Sequence, residues 1–502
     1  MKREFTIAAA WSAAGAWIEQ GVAAVNFLVI ARLVGVEDFG IAAMAFAFLF
    51  LGEFLVRDTL TEAIVERSSL EEGRLEATFV ALIGFSIVVV LALAAIAYVA
   101  ARAYGQPAVA PLLLVASPTV LMIGAAGVPT ALLRRKLAYR TLAVRSVLGV
   151  VAGGLVGITM AINGFGAWSL VGQRLTDIGI NSVMAFTAAG WVPRRWPKLG
   201  DYAMLSGLGP RVVLLRSLTL VIVQTPTVAL GIFAGPRAAG LFAFASRLVE
   251  IVGSLIVQPV QGVAQSTISE MRRQHSSTHE FFLDLTNMAG WISFPAFVGL
   301  ALIADPLVSF LLGNDWRAAG PMLAILCVPG ATAALTAIQE AYLLAMDRIE
   351  KFVRASAIEA AIGVVIVALG SFYGPLAAVG GVALRALAAF PLRTSAALNL
   401  EGIGWRRFGV ALIPPLLASG SMAVPLAIWR TTVLGRVPDL LYVVSATAMG
   451  MGCVAGVLFA LMPKELARLR SFIHPNPSPS TIGSRQRSRS VGGAHHTRSH
   501  RP

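Results

Sequence analysis

Ionisable side chains interrupt several long apolar stretches of this 502-residue chain, and their types could do two kinds of chemistry. Arginine carries a permanent charge and a fork of N–H donors that matches the oxygens of a phosphate group. A buried glutamate resists ionisation, so it can exchange a proton or hold a cation. A charge near the centre of a bilayer costs at least about 2.5–3.5 kcal/mol, so each such side chain needs a reason. The candidates are Glu19, Glu53, Arg57, Asp58, Arg145, Arg174, Asp177, Arg211, Arg216, Arg247, Glu250, Glu340, Glu359 and Arg385.

A structural interpretation competes with a functional one for many of these charges. Side chains three or four residues apart share one face of a helix, so opposite charges at that spacing can neutralise each other. Charges near a helix end can instead extend to the membrane surface, which would account for Arg145, Arg211 and Glu359. Both interpretations stay open on the sequence alone. The pairs at helical spacing are Glu53–Arg57, Arg174–Asp177 and Arg247–Glu250.

The elements that position these charges are long apolar segments. Hydrophobic residues make up 57% of the chain and charged residues 13%, about half the charged fraction typical of soluble domains. About 20 apolar residues suffice to cross the ~30 Å hydrocarbon core of a bilayer. The sequence therefore predicts an all-α polytopic membrane protein with about 14 transmembrane helices. They are predicted at 8–33, 39–63, 77–101, 108–132, 142–162, 167–190, 203–233, 240–268, 281–303, 319–346, 355–372, 377–398, 408–429 and 439–461.

An internal repeat divides these helices into two halves. Residues 31–46 (ARLVGVEDFGIAAMAF) and 231–246 (GIFAGPRAAGLFAFAS) share glycines and alanines at equal positions, in a turn between two apolar runs. Related halves packed around a shared centre are typical of membrane transporters. We therefore expect two six-helix bundles followed by two additional helices. The remaining residues are rich in Ser, Pro, Arg and His, and this composition predicts a disordered basic cytoplasmic tail. The predicted boundaries are 1–195, 196–400, 401–465 and 466–502.

The formal net charge of +14 is distributed by side of the membrane. On one side the predicted turns contain few basic residues, whereas the turns on the other side carry basic clusters at 134–140, 194–198, 272–273, 348–354 and 406–407. Cytoplasmic loops carry the excess of Lys and Arg, so both termini are predicted to be cytoplasmic. The charge thus reflects membrane topology, and no nucleic-acid partner is expected.

Five short stretches carry a resemblance to a known family. They are NFLVIARLVGVEDFG (26–40), YGQPAVAPLLLVAS (104–117), LLRRKLAYR (132–140), NGFGAWSLVGQ (163–173) and FAGPRAAGLFAFASRL (233–248). Together they resemble oligosaccharide flippases of the O-antigen and exopolysaccharide type, within the multidrug/oligosaccharidyl-lipid/polysaccharide exporter superfamily. The resemblance implies two bundles arranged as a V, which alternately expose a central cavity to either leaflet.

The resemblance also implies a cargo and a location. The expected cargo is an undecaprenyl-diphosphate-linked oligosaccharide repeat unit, moved from the cytoplasmic to the periplasmic leaflet for exopolysaccharide or lipopolysaccharide biosynthesis. The expected location is the cytoplasmic (inner) membrane. The partners would be membrane lipids and, downstream, the polymerase and export machinery.

Site residues follow from the helices that line the cavity in the resembled architecture, which are the first, second, seventh and eighth. They favour Arg57, Arg216 and Arg247 as ligands of the diphosphate, with Arg211 at the cytoplasmic mouth. Glu19 and Glu53 are candidates for coupling to a proton or sodium gradient or for counter-ions. No cofactor or metal is expected. Many relatives carry an acidic residue on the seventh helix where this chain has Pro226, matched by Asn26 in the first half, so the coupling ion stays open.

Two other classes compete with the flippase hypothesis. A membrane glycosyltransferase or polymerase needs a sizeable extramembrane loop, whereas the predicted loops are short; P-loop, HExxH and GxSxG motifs in a suitable context are absent. We therefore do not expect an enzyme. A cation-coupled multidrug exporter of the same superfamily is the closer alternative. Its binding site would favour aromatic and acidic residues, whereas arginine is prominent here.

Overall fold

Long α-helices joined by short turns form the molecule in a computed structural model. The structure describes residues 2–57, 64, 72–198, 200–202, 210–274, 278–434 and 436–461. Asp58 and the predicted tail, 466–502, lie outside the described residues. The helices are α1 (Lys2–Val34), α2 (Val36–Arg57), α3 (Glu72–Tyr104), α4 (Val109–Ala116), α5 (Pro118–Arg135), α6 (Tyr139–Ile162), α7 (Trp168–Ala189), α8 (Pro210–Arg273), α9 (His279–Leu312), α10 (Ala319–Ala345), α11 (Ile349–Phe372), α12 (Pro375–Glu401), α13 (Trp405–Val433) and α14 (Asp439–Leu461).

The predicted all-α membrane fold is confirmed. Within the described residues, 12 stretches are long and apolar enough to cross a membrane. One of them, Leu218–Gly262, belongs to α8, which contains a non-helical backbone at Gly235. We call residues 210–234 its first arm and residues 236–273 its second arm. When the two arms are counted separately and the 22-residue α7 is added to the 12 stretches, each of the roughly fourteen predicted crossings corresponds to a helix. The protein is a multi-pass membrane protein.

Among the predicted helices whose limits differ in the structure, two have an identifiable local reason. The predicted helix 108–132 is two helices, α4 and α5, because Pro118 starts α5 at a position where its missing N–H is tolerated. The helix predicted to end at 303 continues to Leu312. The sequence predicted a turn at 304–318, which contains the charged Asp305. In the structure Asp305 forms an ion pair with Arg430 of α13, so the helix can carry that charge.

Glycine makes the two repeat-related turns. Gly35, between α1 and α2, has φ +83°, and Gly235, between the arms of α8, has φ +80°. Residues with a Cβ rarely adopt this backbone conformation. The equal geometry shows that both copies of the sequence repeat form the same helical hairpin.

Each half of the chain has its own apolar core. One buried cluster contains residues of α2 to α5 and α7, and the other contains residues of α8 to α13. The hairpins join them, because Ala31, Val36 and Phe39 belong to the second cluster and Ala239 to the first. The helices α13 and α14 pack against α9 through a small cluster around Met422 and Tyr442. The exact domain boundaries stay a prediction.

Candidate functional site

The two repeat-related hairpins cross in direct backbone contact. A Cβ atom on Gly40 would lie 1.9 Å from the carbonyl oxygen of Pro236, and one on Gly240 would lie 2.5 Å from that of Val36. No side chain fits at either position without moving a backbone. We call this end of the molecule the hairpin end; α2 and the second arm of α8 run away from it towards the basic turns.

Four aromatic rings close the hairpin end beneath this crossing. Phe27 stacks on Phe244 at 5.5 Å between ring centroids and meets Phe39 edge-on at 5.7 Å. Trp316, which is 1% exposed, contacts Phe39 at 5.4 Å and Phe244 at 5.1 Å. The rings come from both halves of the chain. We call Phe27, Phe39, Phe244 and Trp316 the aromatic seal.

A cavity of about 690 Å³ begins at the seal and lies between the halves. Its wall is formed by α1, α2, α6, α7 and both arms of α8. We call it the main cavity. One part of the wall is aromatic and another is polar, a combination typical of small-molecule binding sites. The aromatic part includes Phe46, Phe50, Phe54 and Phe242, and the polar part includes Gln173, Gln224, Thr227 and Ser246.

A buried ion pair between helices stands in the wall of the main cavity. Glu53 of α2 is 3% exposed and forms an ion pair with Arg174 of α7. It also accepts a hydrogen bond from the hydroxyl of Thr119 at 2.8 Å. The guanidinium of Arg174 lies 5.3 Å from the centroid of the Phe50 ring. The pair thus joins three helices of the first half and keeps a charged arginine at the cavity.

A second cavity, of about 240 Å³, extends from this point into the first half. Four arginines and two acids line it, and Arg57, Arg174 and Asp177 border both cavities. We call it the arginine annex. Arg145 donates a hydrogen bond to Thr130 at 2.8 Å, while its buried Nε has no hydrogen-bond partner among the described residues. The charged residues that line the annex are Glu19, Arg57, Arg134, Arg145, Arg174 and Asp177.

A comparison with protein families adds an identity to this geometry. The model of a family described as "Polysaccharide biosynthesis protein" matches residues 29–321, which include both hairpins and the residues of both cavities from 29 onwards. The chain belongs to this family.

Three curated relatives of this polysaccharide biosynthesis protein have informative names. ExoT of Rhizobium meliloti (strain 1021), a succinoglycan biosynthesis transport protein, is 24% identical over 308 residues, 61% of this chain and 62% of the relative. The lipopolysaccharide biosynthesis protein WzxC of Escherichia coli (strain K12) is 23% identical over 65% of this chain and 67% of its own length. The teichuronic acid biosynthesis protein TuaB of Bacillus subtilis (strain 168) is 31% identical over 24% of this chain and 25% of its own length. The chain spans about 62% of the length of the first relative.

Solved structures show that the fold is shared more widely. The lipid II flippase MurJ in an inward closed conformation is similar with a TM-score of 0.70 and 14% identity, over 89% of this chain and 98% of that chain. An inward-facing multidrug transporter of the MATE family gives a TM-score of 0.61 and 15% identity, over 76% and 96%. At these identities the likeness establishes the fold alone.

The structure brings together four of the six residues that the sequence proposed as the site of this family member. Arg57 borders both cavities, Glu53 lines the main cavity and Glu19 lines the annex. Arg247 lines the main cavity, its side chain is 39% exposed, and it pairs with Glu250 at 3.1 Å as its spacing predicted. The side chains of Arg211 and Arg216 lie outside the described residues. Their proposed roles stay predictions.

Three residues at the site were underestimated from the sequence. The hypothesis that Arg174 pairs with Asp177 on its own helix missed its contact with Glu53 on α2. Arg145 was explained by its position near a helix end, and Arg134 was counted only as part of a basic loop, whereas both line the annex. The available signal was an arginine inside the apolar run 142–162.

One explanation from helix ends is wrong. Glu359 does not extend to the membrane surface: it is 5% exposed and pairs with Arg385 and Arg393 of α12. The sequence placed it four residues inside a predicted helix start at 355, but α11 begins at Ile349. The extra turn and a half moves Glu359 into the protein interior.

Proposed function

We propose that this protein is a flippase for lipid-linked oligosaccharides. It would move undecaprenyl-diphosphate-linked repeat units across the cytoplasmic membrane by alternating access, for exopolysaccharide or lipopolysaccharide biosynthesis. The observation that carries the proposal is the main cavity between two related halves, continuous with an annex lined by arginines. The names of the curated relatives, which describe transport and polysaccharide biosynthesis, support the same function.

The charge of the annex suits a diphosphate. Its wall has four arginines against two acids, and a diphosphate carries at least two negative charges. Guanidinium groups bind phosphate oxygens through short, charge-assisted hydrogen bonds. The free Nε of Arg145 offers one such donor. We therefore assign the diphosphate to Arg57 and Arg145, with Arg247 across the main cavity.

The main cavity suits the sugars, and the lipid belongs outside it. Its volume of about 690 Å³ falls within the range of small-molecule sites. The aromatic and amide side chains of its wall can pack against sugar rings and bond their hydroxyls. A long polyprenyl chain would remain in the bilayer, where the outer surface carries exposed apolar side chains such as Leu91, Val99 and Leu155.

The direction of transport follows from topology. We propose that the basic turns and both termini are cytoplasmic, because positive loops are retained on that side. The hairpin end is then periplasmic. The crossed glycines and the aromatic seal close that side, so the described conformation would receive cargo from the cytoplasmic leaflet. The released cargo would pass to the polymerase and export machinery.

We assign the two candidate acids different roles. Glu53 serves as the counter-ion of Arg174, because it is buried and paired with that arginine. Glu19 lines the annex beside the arginines and is our candidate for coupling to a proton or sodium gradient. The protein itself would move its cargo without making or breaking covalent bonds.

A vesicle assay tests the flippase proposal. Proteoliposomes would contain the full chain and a fluorescent polyprenyl-diphosphate-linked saccharide, and an impermeant quencher would report the leaflet of the label. We expect quenching to continue past the outer-leaflet fraction only when the protein is present. Equal traces with and without protein would contradict the proposal. Export of cationic drugs by the same vesicles would favour the multidrug alternative.

Replacing Arg57 or Arg145 with alanine should weaken cargo binding by about tenfold or more, because a hydrogen bond to a charged group contributes about 1.5–3 kcal/mol. The measurement is the cargo concentration at half-maximal transport in the vesicle assay. Arg102→Ala is the matched control, since Arg102 is exposed in the last turn of α3, at the hairpin end and away from the annex. Equal losses in all three variants would remove the argument for a cationic site.

A further inference from the structure

A proline interrupts the backbone bonding of a helix that lines the main cavity. Pro226 lies inside the first arm of α8. Proline has no N–H, so the carbonyl of Ile222, four residues earlier, lacks the amide donor that a helix normally supplies. Ile222 is 7% exposed. A buried carbonyl without a partner costs about 1–3 kcal/mol, and a membrane interior offers no water in its place.

An arginine from another helix supplies the missing donor. Nη1 of Arg385, on α12, donates a hydrogen bond to the carbonyl oxygen of Ile222 at 2.8 Å. Arg385 is 7% exposed. It lies in the described wall of neither the main cavity nor the annex. Its permanent donors thus complete the helix at the point where Pro226 leaves it incomplete.

The surroundings hold Arg385 in place. Glu359 of α11 lies 3.5 Å from its Nε and also pairs with Arg393. A Cβ on Gly363 would lie 2.2 Å from Cδ of Arg385, so α11 has a glycine where the arginine stem passes. Arg393 lies over the ring of Phe352 at 5.0 Å and is attracted by Glu340 of α10. The two arginines are therefore balanced by two acids, and only Arg385 reaches α8 by a described hydrogen bond.

The first half has no proline at the matching position. Asn26 occupies the position that matches Pro226 in the repeat, and its Nδ2 donates to the carbonyl of Val150 on α6 at 2.8 Å. Gly154 leaves the room for this contact, because a Cβ there would lie 2.1 Å from Nδ2 of Asn26. In both halves one side-chain bond to a carbonyl ties the cavity helix to its neighbour. Only in the second half does the neighbour supply the donor.

We propose that Arg385 is a positioning residue for translocation. By capping the carbonyl that Pro226 orphans, it fixes the backbone of the first arm of α8 next to Pro226 and thereby the cavity wall on both sides of that proline. The wall residues concerned are Leu220, Val223, Gln224 and Thr227. The effect on transport rests on the proposed flippase function, but the effect on the geometry of the cavity does not.

The test uses Pro226→Ala, which restores the amide N–H that Ile222 lacks. Gln224→Cys, in a chain with Cys327→Ala and Cys453→Ser, reports the cavity wall through its rate of alkylation by a water-soluble maleimide in membranes. We expect R385M to change this rate by about tenfold, the effect of an orphaned buried carbonyl. In the P226A background the same substitution should have little effect, since the helix then caps itself.

R393M is the matched control, because Arg393 binds the same Glu359 without a described hydrogen bond to α8. P226A should not relieve the effect of R393M. If R385M changes labelling equally with proline and with alanine at 226, the proposal is wrong. If the R385M protein does not accumulate in the membrane, accumulation is the readout. Accumulation of P226A/R385M but not of P226A/R393M supports the proposal, and accumulation of neither contradicts it.

Transport is measured on the same variants. R385M should reduce flux about tenfold, and P226A/R385M should transport like P226A. An inactive parent protein would contradict the flippase function while leaving the labelling cycle to decide the role of Arg385. An active R385M with unaltered labelling would overturn the positioning role and leave the flippase proposal intact.

Discussion

Gly40→Ala should abolish transport while the protein still accumulates in the membrane. The new Cβ would lie 1.9 Å from the carbonyl oxygen of Pro236. The obstacle is backbone in the opposite hairpin, so no rotation of a side chain can relieve it and the hairpins must separate. A penalty of about 3 kcal/mol would lower the population of the closed hairpin end roughly 100-fold. Gly240→Ala should act in the same way, because its Cβ would meet the carbonyl of Val36 at 2.5 Å.

Thiol labelling distinguishes a lost closure from a lost fold. Ala43 lines the main cavity near the aromatic seal. In chains without the native cysteines, Ala43→Cys should react slowly with an impermeant reagent added on the side of the hairpin end, and about tenfold or more faster when Gly40→Ala is present. Gly84→Ala is the matched control, because Gly84 lies in α3 with open space around its Cβ position. If the Gly40→Ala protein is labelled and transports cargo at the same rates as the Gly84→Ala protein, contact between the hairpins is not needed to close the hairpin end.

The sequence predicted the features that depend on local composition. An apolar run of about 20 residues has few alternatives to a membrane helix, so the helices were located to within a few residues at most ends. The repeat also placed glycines at both hairpin turns, where the backbone has positive φ. It did not show that Gly40 and Gly240 touch the opposite hairpins, because that contact depends on how the two halves cross.

The errors about interior charges concern partners that lie on other helices. Local spacing favours partners on the same helix, so Arg174 was paired with Asp177, and a helix start predicted six residues too late left Glu359 near a helix end. In the structure both find partners across helices, Glu53 and the arginines of α12. Charges inside a membrane are strongly driven to pair wherever the packing allows. Which helices pack together is a property of the fold, and a single sequence does not encode it in its local spacing.

Arg174→Met should destabilise the folded protein by about 3–5 kcal/mol, the cost of leaving one partner of a buried ion pair without its counter-ion. Of the two described partners of Glu53, Arg174 and Thr119, only the hydroxyl of Thr119 would still donate a hydrogen bond to it. The measurement is the fraction of protein that remains folded on heating in detergent. Arg247→Met is the matched control: its pair with Glu250 is half-exposed, and exposed pairs contribute about 0–1 kcal/mol.

Glu53→Gln in the Arg174→Met background should recover most of the lost stability, because it removes the orphaned charge. That double variant also separates the two roles open to Glu53. If Glu53 is only a counter-ion, vesicles with the double variant should respond to an imposed proton or sodium gradient in the same proportion as the parent, even where the loss of Arg174 lowers the rate. If the response to the gradient disappears while the fold is recovered, Glu53 carries the coupling and our assignment of that role to Glu19 is wrong. The stability of the double variant therefore tests the ion pair, and its gradient response tests the division of work between the two acids.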